Sequence, residues 1–195
     1  MSNESFIKEI APYAQEIQAS YYILASLIIA QACLESGYGT SKLATEAKNL
    51  FGTKGSYNGK ALNVATVEHD EKGNEYTIFA DFKMYPTWLE SLEDLADKYK
   101  NGVSWDPNKY KAVIGCSNYK EAAQAVKDAG YATDISYVTK LTDIIEKYDL
   151  TKYDEIVIEA PKKLYYVQVG AYSSKENAER MAAQLTKAGF PAFIK

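Results

Sequence analysis

Leu24-Ala25-Ser26-Leu27-Ile28-Ile29-Ala30-Gln31-Ala32-Cys33-Leu34-Glu35-Ser36-Gly37-Tyr38-Gly39 is an apolar run that ends on a carboxylate and a glycine stop. Leu24, Leu27, Ile28, Gln31, Leu34 and Glu35 recur at offsets 0, 3, 4, 7, 10 and 11, a helical period. The pattern predicts a core helix over roughly residues 20–36, stopped at Gly37, with Glu35 along the mostly apolar face of its last turn. Two effects then act on the carboxyl in the same direction. Apolar surroundings disfavour its ionised form, and so does the negative end of the helix dipole. A carboxyl held protonated near neutral pH is what a general acid needs. From placement alone, a Glu that frays into solvent is an equal reading.

Upstream, Phe6, Ile7, Ile10, Tyr13 and Ile17 predict an amphipathic helix over residues 3–18, which Pro12 is expected to break or kink. Downstream, Ser41 is a candidate cap for a short helix over 41–47, followed by the turn-rich loop Asn49-Leu50-Phe51-Gly52-Thr53-Lys54-Gly55. Leu62–His69 and Tyr76–Tyr85 read as the strands of a hairpin. Alternation sets Ala65, Val67 and His69 on one face and Val64, Thr66, Glu68 and Asp70 on the other, more polar one, so Glu68 is expected to look away from the local core. Three further helices are expected: Trp88 to near Gly102, Ser117–Ala129 and Ser136–Tyr148.

Composition bounds the function. A 195-residue chain with 47% hydrophobic and 25% charged residues can bury a substantial core. A net charge of −4 and the lack of a basic cluster exclude nucleic acid as a partner. Seventeen tyrosines, against 6 Phe and 2 Trp, supply rings with hydroxyls of the kind that suits sugars. Cys33 and Cys116 are too few and too far apart for a disulfide framework, and no Cys/His spacing suggests a metal, so neither metal nor cofactor is expected. The single His69 has no nucleophile motif around it. Residues 1–6 do not read as a signal peptide, and the apolar run from Tyr21 to Cys33 is too short to span a bilayer, so no membrane insertion is expected.

Past Tyr153 the texture changes. Residues 154–163 read as a linker. Beyond it, residues 164–195 read as a β-α-β segment: a strand at Tyr165–Tyr172, a helix from Lys175 to Ala188, a stop at Gly189 and a second strand at Phe190–Ile194. About 32 residues with open sheet edges are not expected to be stable alone.

Five motifs then occur in order: Leu34-Glu35-Ser36-Gly37-Tyr38-Gly39, Asn49-Leu50-Phe51-Gly52, Thr66-Val67-Glu68-His69, Phe82-Lys83-Met84-Tyr85 and Gly130-Tyr131-Ala132-Thr133-Asp134. Together they resemble the peptidoglycan N-acetylglucosaminidases of glycoside hydrolase family 73, over most of residues 5–148. The resemblance implies an α+β, lysozyme-like catalytic domain over residues 1–153, with a mainly helical lobe and a small β-hairpin lobe flanking a glycan groove. It implies cleavage of the β-1,4 bond between N-acetylglucosamine and N-acetylmuramic acid, with Glu35 as general acid and Glu68 as the second carboxylate, Asp70 and Glu71 being nearby competitors. Tyr131 would line the groove, with Phe51, Tyr85, Asn49 and Tyr38 as further substrate-binding candidates. Trp88 is a sugar-stacking or core residue, and Asp134 a helix cap. Ile135 stands where the family often has proline. A lytic transglycosylase, a muramidase on the same fold and a non-catalytic wall-binding module are the alternatives. Tyr166–Tyr172 with the following Ser-Ser-Lys-Glu-Asn-Ala-Glu resembles the opening half of a SPOR domain; a truncated or remnant repeat is one reading, and the sharper one is that two chains pair their halves to complete a sheet as a homodimer. Peptidoglycan glycan strands are the expected partner. The expected setting is that of a phage lysin, made in the host cytoplasm and acting on the wall, or export by another route.

Overall fold

The computed structural model describes residues 2–69, 73–154 and 170–188, apart from the side chains of residues 67–69. It divides into two units, Met1–Ile156 and Val157–Lys195.

Helix α1 (Asn3–Tyr21) opens on Ser2, whose hydroxyl accepts from Ser5 N–H, and buries Phe6, Ile7, Ile10, Ala14 and Ile17. Pro12 does not interrupt it. Pro12 is exposed, as is Lys8 four residues earlier, so the unmade hydrogen bond faces water rather than the core. The helix therefore outruns its expected end and takes residues assigned to the next one. The boundary falls at Tyr22, which is left-handed (φ 60°) and donates its N–H to Gln18 O at 3.0 Å.

Helix α2 (Ala25–Ser36) is the axis of the unit, and every residue from Ala25 to Cys33 is buried. Full burial of a side chain such as Leu27, Ile28 or Ile29 stabilises the fold by roughly 1.5–3 kcal/mol. Leu24 offers this helix no side-chain cap. Distant residues supply one instead. Gln18 Oε1 accepts from Ala25 N–H at 2.6 Å, and Asp154 accepts from Ser26 N–H and Ser26 Oγ–H, each at 2.7 Å. Gln18 Nε2 also donates to Asp154 O at 2.7 Å, so the cap joins the start and the end of the unit.

A short helix α3 (Lys42–Glu46) starts on Ser41, as expected. Strands β1 (Ala61–His69) and β2 (Glu75–Lys83) pair antiparallel, from Ala61 opposite Lys83 to His69 opposite Glu75. The expected faces are reversed at the root of this hairpin. Ala65 is exposed with its partner Phe79 (74% exposed), whereas Leu62 and Val64 are half-buried and Phe82, opposite Leu62, is buried. Alternation sorts residues into two faces, but only packing selects which face turns inward, and here the packing lies at the Phe82 end.

Helix α4 (Trp88–Asn101) opens with a reciprocal capping box between Thr87 and Glu90. A 3₁₀ turn (Lys111–Val113), α5 (Tyr119–Asp128, capped by Asn118), α6 (Tyr137–Lys147) and a second 3₁₀ turn (Leu150–Tyr153) follow. Helices α1 and α6 and the second 3₁₀ turn pack around α2, while α4 packs on α1 and α5 on α6. The unit is thus mainly helical with a two-stranded antiparallel sheet.

In the second unit the described element is α7 (Lys175–Lys187), none of whose residues is buried. The linker at 155–163 and the strand residues 164–169 and 190–194, through which chains were expected to pair, lie outside the described residues. No helix among the described residues is long and apolar enough to cross a membrane.

Candidate active site

Glu35 occupies the penultimate position of α2, at the exposed end of a helix whose earlier turns are locked in the core. The helix stops on left-handed Gly37, while Tyr38 N–H and Ser41 N–H return to the carbonyls of Cys33 and Ser36, both at 2.9 Å. Ser36 Oγ also accepts from Gly39 N–H at 2.7 Å, tying the turn under the carboxylate.

From this anchored end Glu35 opens into a groove of about 710 Å³. Its walls are the loop Phe51–Lys54, one face of α4 with Asp94, Leu95 and Lys98, the segment Tyr131–Asp134, and Tyr137 and Lys140 of α6. Phe51 and Tyr131, both expected to meet substrate, stand in this wall with Glu35.

Tyr137 governs the carboxyl most closely, donating its hydroxyl to Glu35 Oε1 at 2.7 Å. Behind it, fully buried Gln31 donates from Nε2 to the hydroxyls of Tyr137 at 3.2 Å and Tyr99 at 2.7 Å. Tyr99 donates back to Gln31 Oε1 at 2.9 Å. An amide NH₂ only donates, so the Tyr137 hydroxyl accepts from Gln31 and directs its own proton toward Glu35. Oε1 is thereby committed as an acceptor, which leaves Oε2 to carry a transferable proton. Burial raises the pKa of Glu35, the Tyr137 bond and the Lys98 ammonium pull it down, and the net result lies above the ordinary carboxyl value.

The Tyr131 ring packs against those of Tyr137 (centroids 5.9 Å), Tyr99 (6.1 Å) and Tyr110 (6.5 Å), with Lys98 Nζ 4.9 Å above it. Burial drives its hydroxyl pKa far up, so it faces the groove as a neutral phenol.

Three candidates do not line the groove. Asn49 is 1% exposed and its amide is fully used, donating to Thr53 O and Lys83 O and accepting from Thr53 N–H, each at 2.9 Å. It fastens the Phe51 loop to the end of β2. Tyr85 is buried and donates its hydroxyl to Asp94 Oδ2 at 2.8 Å, while Lys83 Nζ meets the same carboxylate at 2.7 and 2.9 Å. These contacts orient Asp94 from behind. Tyr38 packs edge-on against Tyr148 at 5.8 Å. Trp88 is core, with its ring 5.2 Å from that of Phe6 and its Nε1–H donated to Ala44 O. Asp134 accepts from Ser136 N–H and Oγ–H and pairs with Lys140 at 2.6 Å, which fixes the turn into α6 and lowers its pKa. Glu68 lies opposite Tyr76 in the hairpin backbone, but its side chain, like Asp70 and Glu71, lies outside the described residues.

Sequence reasoning missed Gln31, Tyr137, Lys98 and Asp94 as members of the site. Gln31 did carry a signal: an amide on the apolar face of a core helix, one turn before Glu35, must find buried partners. Lys98 and Asp94 carried none, because only the placing of α4, packed on α1 and tied to α2 through the Tyr99–Gln31 hydrogen bonds, brings them to the groove. Among the described residues no group of three or more His, Cys, Asp or Glu could hold a metal ion.

The arrangement suits one chemistry, the delivery of a proton from a carboxyl held in a groove with aromatic walls. Comparison with known proteins agrees. The model of the family described as glucosaminidase, mannosyl-glycoprotein endo-beta-N-acetylglucosaminidase, matches residues 11–150, and the SPOR domain model matches residues 161–195. The exo-glucosaminidase LytG of Bacillus subtilis (strain 168) is 48% identical over 151 residues, 77% of this chain and 53% of that protein. The peptidoglycan hydrolase FlgJ of Escherichia coli (strain K12) is 34% identical over 151 residues, 74% of this chain and 46% of that protein. This chain therefore spans about half the length of these two relatives. Among solved structures, the catalytic domain of the autolysin Auto from Listeria monocytogenes superposes with a TM-score of 0.74 at 42% identity, covering 77% of this chain and 86% of that one.

Proposed function

The chain belongs to the glucosaminidase family, glycoside hydrolase family 73, and on that footing we propose that it hydrolyses the glycan strands of peptidoglycan. The bond cut is the β-1,4 linkage from N-acetylglucosamine to N-acetylmuramic acid, in the endo mode of the matched family description. The observation that carries this reading is the placement of Glu35, a carboxyl of raised pKa inside an aromatic-walled groove with one oxygen held by Tyr137.

Glu35 Oε2 protonates the glycosidic oxygen as the bond to the anomeric carbon breaks, and positive charge develops on the sugar ring. A second carboxylate stabilises that charge or activates water from the opposite side. Glu68 is the proposed second group, supported by its family motif Thr66-Val67-Glu68-His69. Tyr131 and Phe51 supply the surface against which the sugars lie.

The test is to digest purified peptidoglycan and read the new ends by mass spectrometry. Internal fragments with reducing N-acetylglucosamine ends are expected. Reducing N-acetylmuramic acid ends would replace this reading with a muramidase, and anhydromuramic ends with a lytic transglycosylase.

Tyr137→Phe provides a second check. Loss of the hydroxyl removes an interaction that lowers the Glu35 pKa, so that pKa rises further. A general acid works only while protonated. The alkaline limb of the kcat profile is therefore expected to move to higher pH, while kcat at the optimum falls roughly five- to tenfold as the carboxyl loses a hydrogen bond of about 1 kcal/mol. An unmoved alkaline limb would detach Tyr137 from the titration of the acid.

A further inference from the structure

Beyond the Tyr131 wall the chain makes a tight turn at Val103-Ser104-Trp105-Asp106. Val103 and Asp106 exchange both backbone hydrogen bonds, at 3.0 and 2.9 Å, and Gly102 N–H donates to Lys98 O at 2.9 Å. The Asp106 carboxylate accepts from Asn108 N–H, which braces the exit of the turn. At its tip stands Trp105, 78% exposed. A lone exposed indole needs no explanation, but this one is not alone.

The ammonium of half-buried Lys109 lies 5.9 Å from the Trp105 ring, and 4.0 Å from where a side chain at Gly130, next to Tyr131, would begin. Lys109 therefore bridges the turn and the groove wall. Lys98, which lines the groove, holds its ammonium over the rings of Tyr131 (4.9 Å) and Tyr110 (5.5 Å). Among the described residues no carboxylate comes within ion-pair distance of either lysine. The two charges act on each other: burial and the positive charge of Lys109 lower the pKa of Lys98, against weaker attraction from Asp94 and Glu35. A protein of net charge −4 thus places two mutually repelling cations beside the Tyr131 wall, Lys98 attracted by Asp94 and Glu35 but ion-paired with neither, and Lys109 in a neighbouring pocket that it shares with Glu121 and Asp128.

We propose that Trp105, Lys109 and Lys98 form a distal subsite that takes a sugar ring carrying a carboxylate. Trp105 stacks on the ring and the two ammoniums hold the anion. Aromatic stacking alone would serve any hexose, and the lysine pair adds the preference for an acidic one. This deepens the proposed function and rests on it. In a peptidoglycan strand the acidic unit is N-acetylmuramic acid, whose carboxylate is that of its lactyl group when bare or those of the attached peptide when substituted.

The test uses the full chain with Glu35→Gln, so that ligands bind without turnover, and calorimetric titration with three oligosaccharides of equal length. These are a chitin oligomer, a peptide-free N-acetylglucosamine–N-acetylmuramic acid oligomer, and the same oligomer bearing its peptides. The muramic oligomers are expected to bind at least threefold more tightly than chitin. Adding Lys109→Gln should abolish that preference, and adding Trp105→Ala should weaken all three. Comparing the two muramic ligands tells whether the lactyl or the peptide carboxylate is read. Equal affinities for chitin and muramic oligomers, or affinities untouched by both substitutions, would overturn the subsite. Cleavage of peptidoglycan by the chain with Glu35 intact, measured alongside, reports separately on the proposed function. Trp105 is exposed and Lys109 makes no ion pair among the described residues, so matching melting temperatures are expected to establish that both variants fold.

Discussion

Glu35→Gln is expected to lower the rate of peptidoglycan cleavage by about 10²–10⁴-fold, the range over which a positioned acid contributes. Gln keeps the shape of Glu and an oxygen to accept from Tyr137 at the position of Oε1, so the Gln31–Tyr137 chain behind it is preserved. What it lacks is the proton. Binding to insoluble walls should persist while the fall in turbidity of a wall suspension disappears. The pH profile adds a sign. A carboxyl whose pKa lies above the ordinary value stays protonated to higher pH, so the native activity should hold past the usual carboxyl range and fall on the alkaline side. The residual activity of the variant should have no such limb. A variant that clears walls at the native rate would remove Glu35 from the reaction, and loss of wall binding along with clearing would instead indicate a damaged groove.

Gly39→Ala is expected to lower the melting temperature by about 5–15 °C. Two costs combine. Gly39 has φ +74°, where an L side chain costs roughly 1–2 kcal/mol. A Cβ there would also sit 2.5 Å from two ring carbons of Phe6 and 3.3 Å from the Trp88 ring. Phe6 is fully buried and pinned edge-to-face on Trp88, so it cannot swing away, and overpacking of this kind costs about 1–3 kcal/mol. Gly52→Ala is the control. It has a similar φ of +61° with nothing within 4 Å of the new methyl, so it should show the backbone cost alone. Equal losses for the two substitutions, by thermal melt, would mean that Phe6 yields.

The helical period of Leu24–Glu35 was enough to place an acid at the open end of a core helix, because period and apolarity are local properties of the chain. The Ser41 cap and the Gly37 stop were legible for the same reason. Pro12 was misread because its cost depends on which side of the helix it occupies, and that is settled by what α1 packs against. The hairpin faces failed likewise: alternation in Val64-Ala65-Thr66 names two faces, and only the burial of Phe82 chooses between them. Among the site residues, Tyr131 and Phe51 belong to motifs that reach the groove. Asn49 and Tyr85 belong to equally visible motifs but work behind the wall, one holding a loop and the other a carboxylate. A motif marks a position that matters without saying whether its side chain faces substrate or supports a neighbour that does.

The cap on α2 has a consequence for the birth of the protein. Ser26 is held by Asp154, 128 residues further along the chain, so that contact spans most of the domain. Closing so large a loop costs entropy before it returns any stability. On a ribosome, the helix that carries the acid would gain its final fastening only once residue 154 had cleared the exit tunnel. The domain thus contains its own completion signal: a nascent fragment ending short of that aspartate has every groove residue but not the clasp that seats the helix beneath them.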